Sequence, residues 1–434
     1  MKHILLLGAG KSTTVLIDYL KNISVTHQWK VTVADFDFSV VQSKVGEHPF
    51  VKAEQLNILD EEARKVLIES ADIVISMLPP ALHYLVAKDC IQYKKHLLTA
   101  SYVDDEIRKE ELKIKNSDIL FLYEMGLDPG IDHMSAMHLI NQIKNKGGRI
   151  SSFKSHCGGL IAPESDNNPW RYKISWNPQN VVLAGKAGAI FKERSIIKTI
   201  PYEQLFSNCK DIEIDGLGKL SYYPNRDSLS YIPVYGLEEA DTFVRTTLRY
   251  PAFCEGWKQV VDWKLTDEGK MYNTTDLSIA GFFKQYFEKN NLANALDLIQ
   301  SNKLVKAQFE YLGLNDDNLF INKGLCSSAV ILQFLLETKL ALHSSDKDLI
   351  VMLHEINYSV DGHLSNSHSL LVIKGENQLH TAMAKSVGLP LGIAAQLILE
   401  GKIKETGLHI PIIASLYEPV LNELKKQGIE FKEF

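Results

Sequence analysis

Apolar residues in the first third of the chain gather into short runs separated by segments of helical spacing. The runs are His3-Ile4-Leu5-Leu6-Leu7, Trp29-Lys30-Val31-Thr32-Val33-Ala34, Ala71-Asp72-Ile73-Val74-Ile75-Ser76-Met77-Leu78 before Pro79-Pro80, His96-Leu97-Leu98-Thr99-Ala100-Ser101-Tyr102 and Ile119-Leu120-Phe121-Leu122. Such runs are too short for helices and suit strands buried on both faces, as in a parallel sheet. After the first run, Val15, Leu16, Ile17, Tyr19 and Leu20 outline a helix. Strands alternating with helices predict an α/β fold, a Rossmann-type doubly wound parallel sheet.

The pattern changes downstream. Gly147-Gly148 breaks the chain, and the run from Ile150 to Cys157 begins a new sheet. From about Trp257 to Leu342 the spacing turns helical, notably over 279–288, 292–299 and 327–339. Strand character resumes over 348–354 and 368–374. An amphipathic helix from Leu391 to Leu399 and onward is expected to pack back on the first domain.

At 434 residues the chain is long for one core. A net charge of −6 gives no reason to expect nucleic acid, and no apolar run suggests a membrane span. The five cysteines (Cys90, Cys157, Cys209, Cys254, Cys326) are scattered and never form a CxxC pair. That argues against a disulfide framework and a metal site, and suits a reducing cytoplasm.

The candidate chemistry starts where the first run ends, at Gly8-Ala9-Gly10. A glycine turn between strand and helix can present backbone amides and a helix N-terminus to a pyrophosphate. Gly8 permits the turn, Gly10 allows close approach, and Lys11, Ser12 and Thr13 follow within reach. Thr13 stands where a third small residue is usual, so the fingerprint is incomplete. Asp35 ends the second strand, where a carboxylate can accept from both ribose hydroxyls and repel a 2′-phosphate. This favours NAD over NADP as cofactor, with NADP possible. Ser76, Leu78 and Pro79 form a loop expected over the cofactor.

The segment Gly126-Leu127-Asp128-Pro129-Gly130-Ile131-Asp132-His133 is a sharp turn at a strand end, where ligands of open α/β sheets sit. Asp132 suits a helix cap. In Thr242-Phe243-Val244-Arg245-Thr246-Thr247-Leu248-Arg249-Tyr250 the period of two places Arg245, Thr247 and Arg249 on one face. Those arginines suit either carboxylate binding or a solvated face.

Taken in order, Gly8-x-Gly10, the Ser76-to-Pro80 loop, Ser101-Tyr102, Gly126-to-His133, Ser155-His156-Cys157-Gly158-Gly159-Leu160, Asn168-Pro169, Tyr172-Lys173-Ile174-Ser175-Trp176, Tyr223-Pro224-Asn225-Arg226-Asp227-Ser228, Thr247-Leu248-Arg249-Tyr250 and Ala382-to-Pro390 resemble the saccharopine reductase family. This is the L-glutamate-forming saccharopine dehydrogenase of α-aminoadipate lysine metabolism. The resemblance covers nearly the whole chain. It implies reversible, pyridine-nucleotide-linked conversion of saccharopine to L-glutamate and α-aminoadipate semialdehyde by a cytoplasmic homodimer.

The resemblance also implies three parts. Residues 1–127 with 386–434 would form the dinucleotide-binding domain. Residues 128–256 with 345–385 would form a mixed α/β substrate and dimerisation domain, and 257–344 a helical insert. NADP-using fungal members place a cysteine-arginine pair where this chain has Asp35-Phe36, so their cofactor is not carried over.

Residue roles carried over with the family are Ser101, Tyr102, Asp128, Lys173, Arg226, Thr247, Leu248 and Arg249 at the substrate, and Gly130 at the cofactor. Tyr102, Asp128 and Cys157 are the proton-transfer candidates. A related polyamine-type enzyme, such as a carboxynorspermidine dehydrogenase or homospermidine synthase, would need more carboxylates and fewer arginines. A non-catalytic nucleotide-binding sensor is the third alternative.

Overall fold

The computed structural model describes residues 1–434, which divide into two compact units. The first comprises residues 1–150, 358–375 and 379–434, and the second residues 151–357 and 376–378.

The first unit holds strands β1 (His3–Leu7), β2 (Lys30–Asp35), β3 (Val51–Gln55), β4 (Ile73–Ser76), β5 (His96–Thr99) and β6 (Leu120–Leu122). With the late strand Gly407–His409 they form a sheet ordered Gly407–His409, β6, β5, β4, β1, β2, β3, every pair parallel. The order reverses between β1 and β4, which is where open α/β sheets bind ligands. The expected sheet is present, and its central strands β1, β4 and β6 are buried throughout, whereas β3 at the edge is largely open.

Helix α1 (Thr14–His27) packs on the long helix Ala382–Leu399. A Cβ on Gly388 would lie 2.9 Å from the Leu16 Cβ, and one on Gly392 2.7 Å from the Tyr19 ring. The two glycines let this helix and α1 approach closely. Helix Ala382–Leu399 begins earlier than its sequence pattern suggests, and Pro390 lies inside it. It is long and apolar enough to cross a membrane, which the expectation of no such run overlooked, but 83% of it is buried among its neighbours.

Helix Ile131–Asn145 was expected in the substrate domain. It belongs to the first unit instead, because its apolar side packs against helix Ala414–Lys426 there. In the same unit, strand His363–Lys374 pairs antiparallel with Lys432–Glu433.

The second unit is built on β7 (Arg149–Ile161), β8 (Ala189–Glu193), β9 (Ile196–Ile200), β10 (Lys210–Ile214), β11 (Gly218–Pro224), β12 (Arg226–Asp227) and β13 (Thr242–Arg249). The main path runs β10, β11, β13, β7 and then strand Asp348–Val360, with β8, β9 and β12 to one side. Strand β13 is parallel to β7 and antiparallel to β11.

Helices Ile279–Lys289, Ala293–Ser301, Lys303–Tyr311 and Ser328–Lys339 form the helical segment. They cluster with the second unit rather than alone, since one continuous core joins Trp170, Phe253, Trp257 and Phe309 to Phe282, Phe283 and Tyr286. Trp170 is fully buried in this core and donates its indole N–H to the Gln308 carbonyl at 2.8 Å.

Candidate functional site

The dinucleotide half of the site is a brace around the first glycine turn. Gly8 has φ +100°, and a Cβ there would meet the Met77 carbonyl oxygen at 2.9 Å. Only glycine fits without strain. Above Gly10, by contrast, a Cβ would meet nothing within 4 Å, so backbone and open space adjoin, as a phosphate cradle requires. Thr13 is buried and donates its hydroxyl to the Gly10 carbonyl at 2.8 Å, while Lys11 is exposed and Ser12 half-buried.

Asp35 is tied to this turn. Its Oδ2 accepts from the Ala9 amide at 2.7 Å and its Oδ1 from the Asp37 amide at 3.1 Å. Each carboxylate oxygen keeps a further lone pair, so the ribose role remains open to it. Phe36 beside it is 70% exposed. Lys44, unmarked by any motif, donates to the Gly10 carbonyl at 2.6 Å. Burial pushes its amine down to about 8, with Asp35 and Asp18 partly opposing.

Residues at the ends of β4, β5 and β6 are joined by hydrogen bonds. The Thr99 and Ser101 carbonyls accept from the Met125 and Glu124 amides, each at 3.0 Å. Glu124, buried and left-handed at φ +54°, accepts from the Val103 amide at 3.3 Å through Oε1. Its Oε2 lies 2.9 Å from Nε2 of the fully buried His133. The strand end that presents Ser101 and Tyr102 is therefore laced to the 126–133 turn.

Within that turn the Gly126 amide donates to the Pro129 carbonyl at 2.9 Å, and the Asp128–Pro129 bond is cis. Gly130 has φ +147°, and a Cβ there would fall 2.0 Å from the Gly126 oxygen. Its amide is taken by Asp132 at 2.6 Å. Gly130 thus shapes the turn, and the amide that would have served a cofactor is committed to Asp132. Asp128 and Tyr102 are each half-buried. Ser76 is buried and bonded to His83, while Leu78 is half-buried and Pro79 exposed.

In the second unit the strands bring Cys157, Thr247 and Arg249 together. Thr247 is the register partner of both Cys157 on β7 and Tyr223 on β11. Arg249 follows on the same face of β13 and is 5% exposed. One terminal nitrogen donates to the Leu248 carbonyl at 2.9 Å and to Gly159 at 3.4 Å, while Nε has no partner. The guanidinium lies over the rings of Phe253, at 5.4 Å, and Tyr172, at 5.5 Å. Among the described residues no carboxylate pairs with it.

A buried guanidinium keeps its charge and is costly unless an anion balances it. Tyr172 and Phe253 make the platform. Sequence reasoning missed both, although an aromatic residue beside each binding motif was a usable signal.

The remaining substrate candidates are placed differently. Lys173 is buried, and its Nζ lies 2.6 Å from the Asp346 carboxylate, so its charge is already met. Leu248 points into the core on the opposite face of β13 from Thr247, leaving only its backbone at the site. Arg226 is exposed at φ +48° beside β8, and Arg245 is buried with its guanidinium 4.4 Å from the Tyr231 ring. Among the described residues no cluster of His, Cys, Asp and Glu could hold a metal ion.

A glycine-turn cradle at the switch point of a parallel sheet is the architecture of a dinucleotide-binding protein, and the second unit separately buries a cation that no carboxylate balances. Two family models divide the chain: the saccharopine dehydrogenase NADP binding domain matches residues 4–122, and the saccharopine dehydrogenase C-terminal domain residues 126–429. The chain belongs to the saccharopine dehydrogenase family.

It is 32% identical to the saccharopine dehydrogenase [NADP(+), L-glutamate-forming] of Saccharomyces cerevisiae, with 100% of this chain and 99% of that protein covered. A solved apo structure of the L-Glu-forming S. cerevisiae enzyme superimposes with a TM-score of 0.89 at 31% identity, covering 100% of this chain and 99% of the other. The alpha-aminoadipic semialdehyde synthase of Arabidopsis thaliana is also 32% identical over 99% of this chain, which spans only 44% of that longer protein. A homospermidine synthase from Legionella pneumophila, at 11% identity and a TM-score of 0.57, shares the fold alone.

Proposed function

We propose that this chain interconverts saccharopine and water with L-glutamate and α-aminoadipate semialdehyde, coupled to a pyridine nucleotide. The observation that carries this is Arg249, a buried guanidinium with an unsatisfied N–H and no carboxylate of its own. Saccharopine brings three carboxylates, and a guanidinium grips one with paired hydrogen bonds. Arg249, with Thr247 beside it and Arg226 as a second clamp, holds the acid groups. Asp128 receives the substrate ammonium. Homospermidine-type substrates are polyamines and give a buried arginine nothing to bind.

The nucleotide supplies the hydride acceptor or donor. The protein's task is to hold the reacting carbon close and to move protons as the secondary amine becomes an imine and water adds to it. Tyr102, Asp128 and Cys157 are the groups assigned to that transfer. Cys157, next to Thr247 and close enough to Arg249 for their charges to interact, has the support of position.

We assign NAD as the preferred nucleotide because Asp35 ends β2 beside the glycine turn. Lys44 near the same turn, together with the NADP(+) in the names of the fungal relatives, favours NADP as the second reading. The protein is proposed to work in the cytoplasm as a homodimer, its five cysteines all being free thiols.

Oxidation of NADH and NADPH, each with glutamate and the semialdehyde, tests both points. Turnover with the pair but not with a diamine supports the assignment, and absence of turnover with either nucleotide overturns it. Asp35→Ser with Phe36→Arg should move the kcat/KM ratio toward NADPH by about tenfold, as one lost repulsion or one gained hydrogen bond to phosphate implies. An unchanged ratio would remove Asp35 from the choice.

A further inference from the structure

A buried histidine that no motif singled out links the ends of β4 and β5. His83 begins the helix His83–Tyr93 and is 2% exposed. Its Nδ1 lies 2.8 Å from the Ser76 hydroxyl and its Nε2 2.7 Å from the Ser101 hydroxyl, with the Thr99 hydroxyl at 3.4 Å. Burial pushes the imidazole down to about 4, with the charge of Asp104 partly opposing, so the ring is neutral near pH 7.

A neutral imidazole offers one N–H and one lone pair. Whichever tautomer is present, one serine hydroxyl must donate to the ring while the other accepts from it. The two hydroxyls are thus not independent. Ser76 is the register partner of Leu7, just before the glycine turn, and Ser101 precedes Tyr102. The Ser101 backbone is already held through its carbonyl by the Glu124 amide. Its hydroxyl, free to rotate otherwise, takes its direction from His83.

We propose that His83 is a positioning residue of the reaction, acting through Ser101: it orients the Ser101 hydroxyl for the substrate and couples that orientation to Ser76 on the nucleotide side. This rests on the saccharopine assignment above. The link is separate from the proton-transfer candidates, because a ring whose two nitrogens are both engaged by serines has neither left for the substrate.

Two conservative variants distinguish positioning from simple space filling. The amide of His83→Asn occupies the Nδ1 position and keeps the Ser76 contact, whereas that of His83→Gln reaches toward Nε2 and keeps the Ser101 contact. We expect His83→Asn to lower kcat about 10- to 100-fold, as loss of orientation does. His83→Gln should recover most of that, and nucleotide KM should stay within about twofold in both. In a Ser101→Ala background the His83→Asn effect should vanish. Equal kcat in the two variants, a loss that follows melting temperature, or full additivity with Ser101→Ala overturns the proposal.

A second measurement needs no turnover. The ring nitrogen resonances of His83 should show one protonated and one bare nitrogen at pH 7, and Ser101→Ala should shift Nε2. A doubly protonated ring, or no shift, refutes the link. Failure of the wild-type assay with both nucleotides would instead refute the substrate assignment.

Discussion

Lys173 and Arg249 are both buried cations of the second unit, yet only Lys173 has a carboxylate within reach. Asp346 meets the lysine at 2.6 Å and also accepts from the His343 amide at 2.6 Å, which completes the pair. Arg249 has two carbonyls and two aromatic faces, none of them charged. The contrast separates a charge that the fold already balances from one that it leaves unbalanced. Burial alone does not make that distinction; the presence of a partner does.

The largest effect should come from breaking the completed pair. Lys173→Met leaves Asp346 buried without its counter-charge, and should destabilise the protein by about 3–5 kcal/mol in urea titration. Adding Asp346→Leu should restore most of that, because a buried pair replaced by apolar residues is often neutral. Little loss in the single variant would make Lys173 a ligand residue after all.

The opposite behaviour is expected at Arg249. Arg249→Met should hold or raise stability, since it removes an uncompensated charge. It should lower kcat/KM for saccharopine by about 100-fold, the equivalent of one or two charged hydrogen bonds, and leave nucleotide KM unchanged. An equal rise in both KM values would place the guanidinium outside substrate binding.

Acid sharpens the same contrast. Burial raises the Asp346 carboxyl, but the hydrogen bonds from Lys173 and the His343 amide outweigh it and leave the group below the ordinary carboxylate range. A depressed folded value means the contribution is complete above about pH 4 and is lost as pH falls through the depressed value. Melting temperatures taken downward from pH 6 should fall less steeply in Asp346→Asn than in the wild type, the other depressed carboxylates, such as Glu193 and Asp211, keeping part of the acid limb in both. The smallest change should follow Arg226→Ala, at an exposed position, where about a three- to tenfold rise in saccharopine KM is expected, against the far larger effect at Arg249.

The nucleotide unit was legible because its signals are local. Period, a glycine turn and a carboxylate at a strand end all lie within one strand-helix-strand stretch. The pairing of Lys173 was not legible because its partner is 173 residues away and no local pattern reveals it. Gly130 was given to the cofactor because a glycine after a strand suits both a cradle and a tight turn; the Asp132 contact decides for the turn. His83 escaped notice because one histidine in an apolar helix has no spacing to exploit. Its signal was the polar residues Ser76 and Ser101 at the ends of neighbouring parallel strands. The second unit's arginine face was readable from a period of two, but whether it met water or an anion depended on strands from three separate regions.

The nucleotide sheet takes its outermost strand from Gly407–His409, and α1 takes its covering helix from Ala382–Leu399. Translation therefore delivers the first unit's beginning long before its closing pieces, whereas the second unit is all but finished by residue 357. Domains ordinarily fold in the order they leave the ribosome. Here that order is inverted: α1 is made long before the helix that covers its apolar flank, so the second unit has its chain in hand before the first.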